Sequence, residues 1–388
     1  MRRLNLAHAL PLLAGLVLVA LAFAGSKFEP AHAAPHINQA AAPAAQHVDN
    51  SACLACHSRP DFNLTMSNGE NLSLTINQEK FSQSVHGENE IACTNCHTDF
   101  TGFPHPELKA ASPRELATTY YTTCQQCHAK EYNNALDSVH QRALAGGNLN
   151  AAVCTDCHNP HEQTRMTDKA TGALLPDARL IIPQTCAKCH NGIYDTYKYS
   201  VHGAALTDEG NLDVPTCIDC HGVHNIQDPT TAQFRNDTPL LCARCHTNAA
   251  LMKPYGLSTN VLNTYVSDFH GTTVTLFEKE SPNLPTNKPV CTDCHGVHDI
   301  SKVDNVQTGI ALRNNLLVKC QRCHPDATAN FPDAWMSHYV ASPTEYSLVY
   351  YVNLFYKFFI PTVLGGMGVF VVTDFIRRLI ERRKGAAQ

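Results

Sequence analysis

Every one of the 18 cysteines in this 388-residue chain belongs to the same pattern, C-x-x-C-H. CLACH supplies Cys53, Cys56 and His57; CTNCH supplies Cys93, Cys96 and His97; CQQCH supplies Cys124, Cys127 and His128. CTDCH supplies Cys154, Cys157 and His158; CAKCH supplies Cys186, Cys189 and His190; CIDCH supplies Cys217, Cys220 and His221. CARCH supplies Cys242, Cys245 and His246; a second CTDCH supplies Cys291, Cys294 and His295; CQRCH supplies Cys320, Cys323 and His324. This is the pattern of covalent haem attachment: two thiols form thioethers with the vinyl groups, and the adjacent imidazole reaches the iron as proximal ligand. Zinc ribbons do not require a His after each second Cys, and a disulfide framework would not hold every spacing at two. Copies that consume every cysteine therefore predict nine covalently attached haem c groups.

Nine proximal imidazoles leave 13 of the 22 histidines. His8 lies in the N-terminal leader; His32, His36 and His47 fall in the linker region, with His47 a reserve candidate. The other nine, His86, His105, His140, His161, His202, His224, His270, His298 and His338, match nine irons one for one as distal ligands. Imidazoles on both faces saturate the iron and suit electron transfer rather than small-molecule chemistry.

These candidates are of two local types. S-V-H occurs at His86, His140 and His202, with the related D-F-H at His270 and M-S-H at His338. Tyr194 and Tyr197 before His202, and Tyr265 before His270, predict a short helix that presents the imidazole. The second type trails an attachment motif, in CHNPH (His161) and CHGVH (His224, His298), with His105 a looser version eight residues after His97. An imidazole three residues beyond a proximal one cannot pass round the porphyrin to the opposite face of the same iron, so it must serve a neighbouring haem.

The order repeats. A motif, an S-V-H-type histidine, then a motif with a trailing histidine recurs from Cys53, Cys124, Cys186 and Cys242, with starts 71, 62 and 56 residues apart; Cys320 and His338 begin a fifth unit. Residues 51–341 thus form 4.5 two-haem repeats, with too little chain between motifs for a conventional sheet or bundle. The expected fold is that of a multihaem cytochrome c: mostly loops and short α-helices wrapped around a haem chain. One small β-hairpin is expected between residues 62 and 76, where FNLTM and LSLTI flank Asn68-Gly69, a two-residue turn signal. It reads as a structural flap.

The ends address a membrane. Arg2 and Arg3 precede an apolar run over residues 10–24, with small-x-small sites at Ala22-Phe23-Ala24 and Ala31-His32-Ala33. Residues 1–33 read as a secretory signal, or as an N-terminal anchor if uncleaved, and residues 34–50 as an Ala/Pro-rich linker. Residues 348–373 carry a single charge, Lys357, open with Tyr350, Tyr351, Phe355 and Tyr356, and lead to Arg377, Arg378, Arg382, Arg383 and Lys384. They predict one transmembrane helix within an anchor over 342–388, its basic tail cytoplasmic and the haem part on the periplasmic or extracellular side. Pro361 is expected to kink it, and Gly365, Gly366 and Gly368 offer a face for a second helix. A net charge of −5 and no long basic run before residue 377 argue against a nucleic-acid partner.

The S-V-H-G and CTDCHGVHDI cadence, with the tail YYVNLFYKFFIPTVLGG followed by RR, resembles the membrane-anchored multihaem cytochromes c of bacterial respiratory chains, over residues 51–384. The resemblance implies a cell-membrane electron carrier working beside a b-type cytochrome or other quinone-reactive subunit and delivering to, or receiving from, a soluble redox protein. The wider superfamily includes catalytic members resembling octahaem tetrathionate reductase and hydroxylamine oxidoreductase, so fold-level likeness alone leaves an alternative: a reductase of nitrogen or sulfur oxyanions with one open haem. That needs an iron without a distal ligand, as would follow if His105 or His338 did not ligate, or an attachment motif ending in Lys; every motif here ends in His. An extracellular filament subunit is a further alternative that the apolar tail disfavours.

Overall fold

Attachment motifs crowd the chain so closely that no segment has room for a long amphipathic helix, and before Ser347 no described helix exceeds the 15 residues of Ala232–His246. The computed structural model describes residues 49–100, 102–335 and 338–385. The leader, most of the linker and His8, His32, His36 and His47 lie outside them. Fourteen hydrophobic side chains are buried among the described residues, scattered from Met66 to Ala327. Such a sparse set is not an apolar core, and small recurring devices organise the chain instead.

The first device presents the S-V-H histidines. Ser84, Ser138 and Ser200, all buried, cap short helices by accepting the N–H of Gly87 (3.0 Å), Gln141 (3.1 Å) and Gly203 (3.0 Å). Asp268 does the same for the N–H of His270 at 2.8 Å. A Ser or Asp immediately before the first helical residue satisfies an otherwise orphaned N–H, which is why these types precede V-H and F-H. The cap also corrects the expectation that the aromatic residues and the histidine share one helix. Tyr194 and Tyr197 lie in Asn191–Lys198, His202 in Val201–Thr207; Tyr265 lies in Val261–Ser267, His270 in Phe269–Glu280. The aromatic helix is pinned instead to the next attachment motif, Tyr197 donating to the Pro215 carbonyl (2.7 Å) and Tyr265 to that of Pro289 (2.9 Å).

The second device joins units. The N–H of Val85 donates to the Gln163 carbonyl (2.8 Å), that of Val139 to Ile226 (2.8 Å) and that of Val201 to Ile300 (2.7 Å). Each acceptor lies two residues beyond a trailing histidine of the following unit. The third device is an ion pair from the segment just before a unit's first motif to that unit's second motif: Arg114 to Asp156 (2.8 Å), Arg179 to Asp219 (3.1 Å) and Arg235 to Asp293 (2.7 Å). Each aspartate is the third residue of its attachment motif and also accepts the N–H of Val153, Thr216 or Val290 at the start of that helical turn. The second motif carries Asn95 at this position, and its buried Oδ1 has no hydrogen-bond partner.

The expected hairpin forms, pairing Asn63–Thr65 antiparallel with Asn71–Ser73. Its turn is not the two-residue type. The Met66 N–H donates to the Glu70 carbonyl (2.8 Å), the Gly69 N–H to Met66 (2.9 Å), and only Gly69, at φ 88°, is left-handed. A two-residue Asn-Gly turn needs positive φ at both positions; Asn68 instead turns its side chain to accept the Glu70 N–H, giving a three-residue turn ending in a glycine bulge. The hairpin also does more than cover: the Leu74 carbonyl, one residue past its second strand, faces Nδ1 of His57 at 2.8 Å.

Among the described residues one helix, Ser347–Gly385, is long and apolar enough to cross a membrane, with a mean hydropathy of 1.8 over its most apolar window. It continues through Pro361 and past residue 373, where Asp374 pairs with Arg377 (3.2 Å) and Arg378 (2.7 Å) one turn on.

Candidate functional site

The structure brings all 18 candidate histidines together in nine pairs, each joining one attachment-motif imidazole to one from elsewhere. Ring centroids lie 6.1 Å apart for His57 and His105, 6.1 Å for His97 and His161, 6.3 Å for His128 and His86, and 6.2 Å for His158 and His224. The separation is 6.1 Å for His190 and His140, 6.1 Å for His221 and His298, and 6.3 Å for His246 and His202. His295 and His338 stand 6.2 Å apart, and His324 and His270 6.4 Å. A metal held between two imidazole nitrogens at about 2 Å each, with each ring centroid about 1 Å behind its nitrogen, requires a separation of about 6 Å. The residues therefore fit a six-coordinate iron at every motif.

Nδ1 often has a hydrogen-bond partner, which fixes ring orientation and leaves Nε2 free to ligate. Nδ1 of His86 faces the Pro160 carbonyl (2.8 Å), that of His105 the Gly102 carbonyl (2.9 Å) and that of His338 the Thr264 hydroxyl (3.2 Å). Nδ1 of His158 faces Gln163 Oε1 at 3.2 Å, and that of His270 the Asp268 carboxylate at 3.1 Å. Burial and the facing imidazole push His161, His202 and His295 down to about 4, so each offers a lone pair at neutral pH. In CHGVH the chain must turn sharply after the proximal imidazole, and Gly222 and Gly296 supply it at φ 79° and 87°.

The pairing has a rule. Each S-V-H-type histidine faces the first motif of the next unit: His86 with His128, His140 with His190, His202 with His246, His270 with His324. Each CHxxH histidine faces the second motif of the previous unit: His161 with His97, His224 with His158, His298 with His221. The ends depart from it. His105 faces His57 of its own unit, and His338, which follows CQRCH and looks like the S-V-H type, takes the trailing role opposite His295. Trp335, the chain's one tryptophan, donates to Asp268 at 2.9 Å beside that pair.

The cysteines report the order of motifs in space. Thiols touch between Cys53 and Cys93, Cys124 and Cys154, Cys186 and Cys217, and Cys242 and Cys291, so the two motifs of a unit abut through their first cysteines. Burial and the Cys53 thiol push Cys93 up to about 11. Between units the second cysteine of one motif lies near enough to the first of the next for the neighbouring thiol, after burial, to help push it up: Cys96 by Cys124, Cys157 by Cys186, Cys220 by Cys242, and Cys294 by Cys320. Nine motifs thus form one unbranched series in chain order. Sequence reasoning missed the arginines that brace this series, although an Asp recurs at the third position of three motifs and an Arg seven residues before both Cys186 and Cys242.

Comparison with known proteins points to c-type cytochromes. The chain is 29% identical over 130 residues, 25% of its own length, to the cytochrome c-type protein NapC of Escherichia coli strain K12, and matches NapC of strains O6:H1 and O157:H7 to the same extent. It spans 64% of the length of these relatives. No family model matches it, and no solved structure does.

Proposed function

We propose that the chain carries nine haem c groups, each with two axial imidazoles, and conducts electrons along them between a quinone-reactive membrane subunit and a soluble redox protein. The observation that carries this reading is the common 6.1–6.4 Å separation of nine histidine pairs, each combining one C-x-x-C-H imidazole with one other. The partial likeness to a c-type cytochrome supports the same chemistry. When bound, such groups supply a reversible one-electron iron couple whose potential depends on axial ligands and burial.

The chain's own residues do the rest. The cysteine pairs would attach each group, the paired imidazoles would ligate its iron, and the exchange of histidines between units would tie neighbouring groups together. Closed axial positions favour electron conduction over catalysis on small molecules. A single helix cannot build a quinone pocket with its own two-haem site, so Ser347–Gly385 would anchor the carrier against a partner that can, a b-type cytochrome or another quinone-reactive subunit. With a cleaved leader and the basic tail cytoplasmic, residues 51–341 would face the periplasm or exterior. His324 belongs to the motif nearest that helix in the chain and is the expected port; His57 belongs to the opposite end of the series and is the expected outlet.

Low-temperature EPR of the oxidised full-length protein tests the reading. Low-spin signals integrating to nine irons are expected. A resting high-spin signal worth one haem, perturbed by nitrite, hydroxylamine or tetrathionate, would favour a reductase instead.

A further inference from the structure

We infer that His105 is a displaceable ligand, and that the position it vacates opposite His57 binds a small neutral π-acceptor molecule such as carbon monoxide or nitric oxide. The inference rests on the nine-haem reading above.

The other eight candidate distal ligands are each held by something outside their own loop. Four sit at helix starts capped by Ser84, Ser138, Ser200 or Asp268; the first three of these starts are hydrogen-bonded to the next unit, and the fourth is tied through Asp268 to the Trp335 indole at 2.9 Å. Three lie three residues beyond a proximal histidine, on chain that a thioether-bonded motif would anchor. His338 is gripped by the Thr264 hydroxyl at 3.2 Å.

His105 has none of these. It is the one exposed imidazole among the nine, and its Nδ1 partner, the Gly102 carbonyl, is only three residues away in the same loop. Among the described residues, the segment 102–110 makes no hydrogen bond to chain outside itself. Release of His105 therefore breaks the iron–Nε2 bond and loosens its aromatic contacts with Phe100 and Phe103 but tears no hydrogen bond to a distant segment, whereas release of His86 or His338 must do so.

The surroundings select the incoming molecule. Phe100 and Phe103 stand edge-on to the His105 ring at 5.1 and 6.1 Å, and Phe103 is 90% exposed. An exposed aromatic cover supplies no cation or hydrogen-bond donor to hold an anion and favours a small uncharged molecule. The exchange is redox-neutral: the iron–Nε2 bond breaks, the iron–carbon or iron–nitrogen bond to the newcomer forms on reduced iron, and the imidazole leaves uncharged, its Nε2 open to a solvent proton.

Stopped-flow mixing of the dithionite-reduced full-length holoprotein with carbon monoxide reads this directly. The expected result is a Soret change worth one haem, at a rate that levels off as carbon monoxide rises because His105 release limits it. In His105→Ala the same single equivalent should bind at a rate proportional to carbon monoxide, with one high-spin EPR signal in the oxidised state. Phe100→Ala with Phe103→Ala, which keeps the imidazole but strips its packing, should raise the plateau rate. Carbon monoxide binding to no haem of the wild type, or an additional equivalent in His105→Ala, overturns the inference. A nine-haem, wholly low-spin protein inert to carbon monoxide would do so while leaving the conduit reading intact; a resting high-spin haem would overturn both.

Discussion

His140 faces His190 with ring centroids 6.1 Å apart, although a complete attachment motif, residues 154–158, lies between them in the chain. The distal candidate that lies between the two motifs of its unit is thus given to the following unit, and the same displacement recurs at His86, His202 and His270. No two-motif unit is complete by itself, so the array is interlocked rather than merely stacked, unlike a solenoid whose repeats meet only at surfaces.

Paired substitutions test that displacement. His140→Ala and His190→Ala should each convert one iron from bis-imidazole low spin, and the double variant should still affect one iron. His140→Ala with His128→Ala should affect two. Spin quantitation by EPR gives the count, and the non-additivity identifies shared sites as a double-mutant cycle does. Two affected irons in the first pair would contradict the assignment.

A second consequence concerns the glycine that follows the S-V-H histidine. A Cβ on Gly203 would collide with the carbonyl of Tyr197, in the preceding helix, whereas one on Gly192 would meet nothing within 4 Å. Gly203→Ala is expected to destabilise the protein by about 1–3 kcal/mol, the cost of forcing a packed backbone apart. Gly192→Ala should change stability by less than about 1 kcal/mol. Denaturant midpoints of the two variants, followed by Soret absorbance, make the comparison.

Much of this was legible from residue type and spacing, because haem attachment demands a fixed local pattern and a capped helix start demands Ser or Asp at one position. The nine distal candidates could be found by counting, and the trailing histidines could be excluded from their own irons by reach. Which motif histidine each distal candidate faces was not legible, since eight of the nine pairs join segments from different units and nothing local marks the partner. His338 shows the difficulty: M-S-H resembles S-V-H, yet it faces His295, in the place a trailing histidine takes in the other units. The hairpin turn was misjudged for a similar reason, as Asn68 spends its side chain on the Glu70 N–H rather than adopting positive φ.

Removal of the apolar helix separates conduction from quinone chemistry. A protein lacking residues 345–388 retains all 18 histidines of the nine pairs and should be soluble, fully haem-loaded and able to exchange electrons with small mediators. It should lose electron exchange with quinol in membranes. Retention of quinol-linked reduction by the truncated protein would refute the need for an anchored partner.

The central claim is the number of covalent groups, and the intact mass of the full-length holoprotein under denaturing conditions measures it most directly. Thioether bonds survive denaturation, so each group adds its mass to that of the polypeptide. The account predicts nine haem additions, on a chain shortened by its leader. A stable, fully matured form carrying seven or fewer would contradict it.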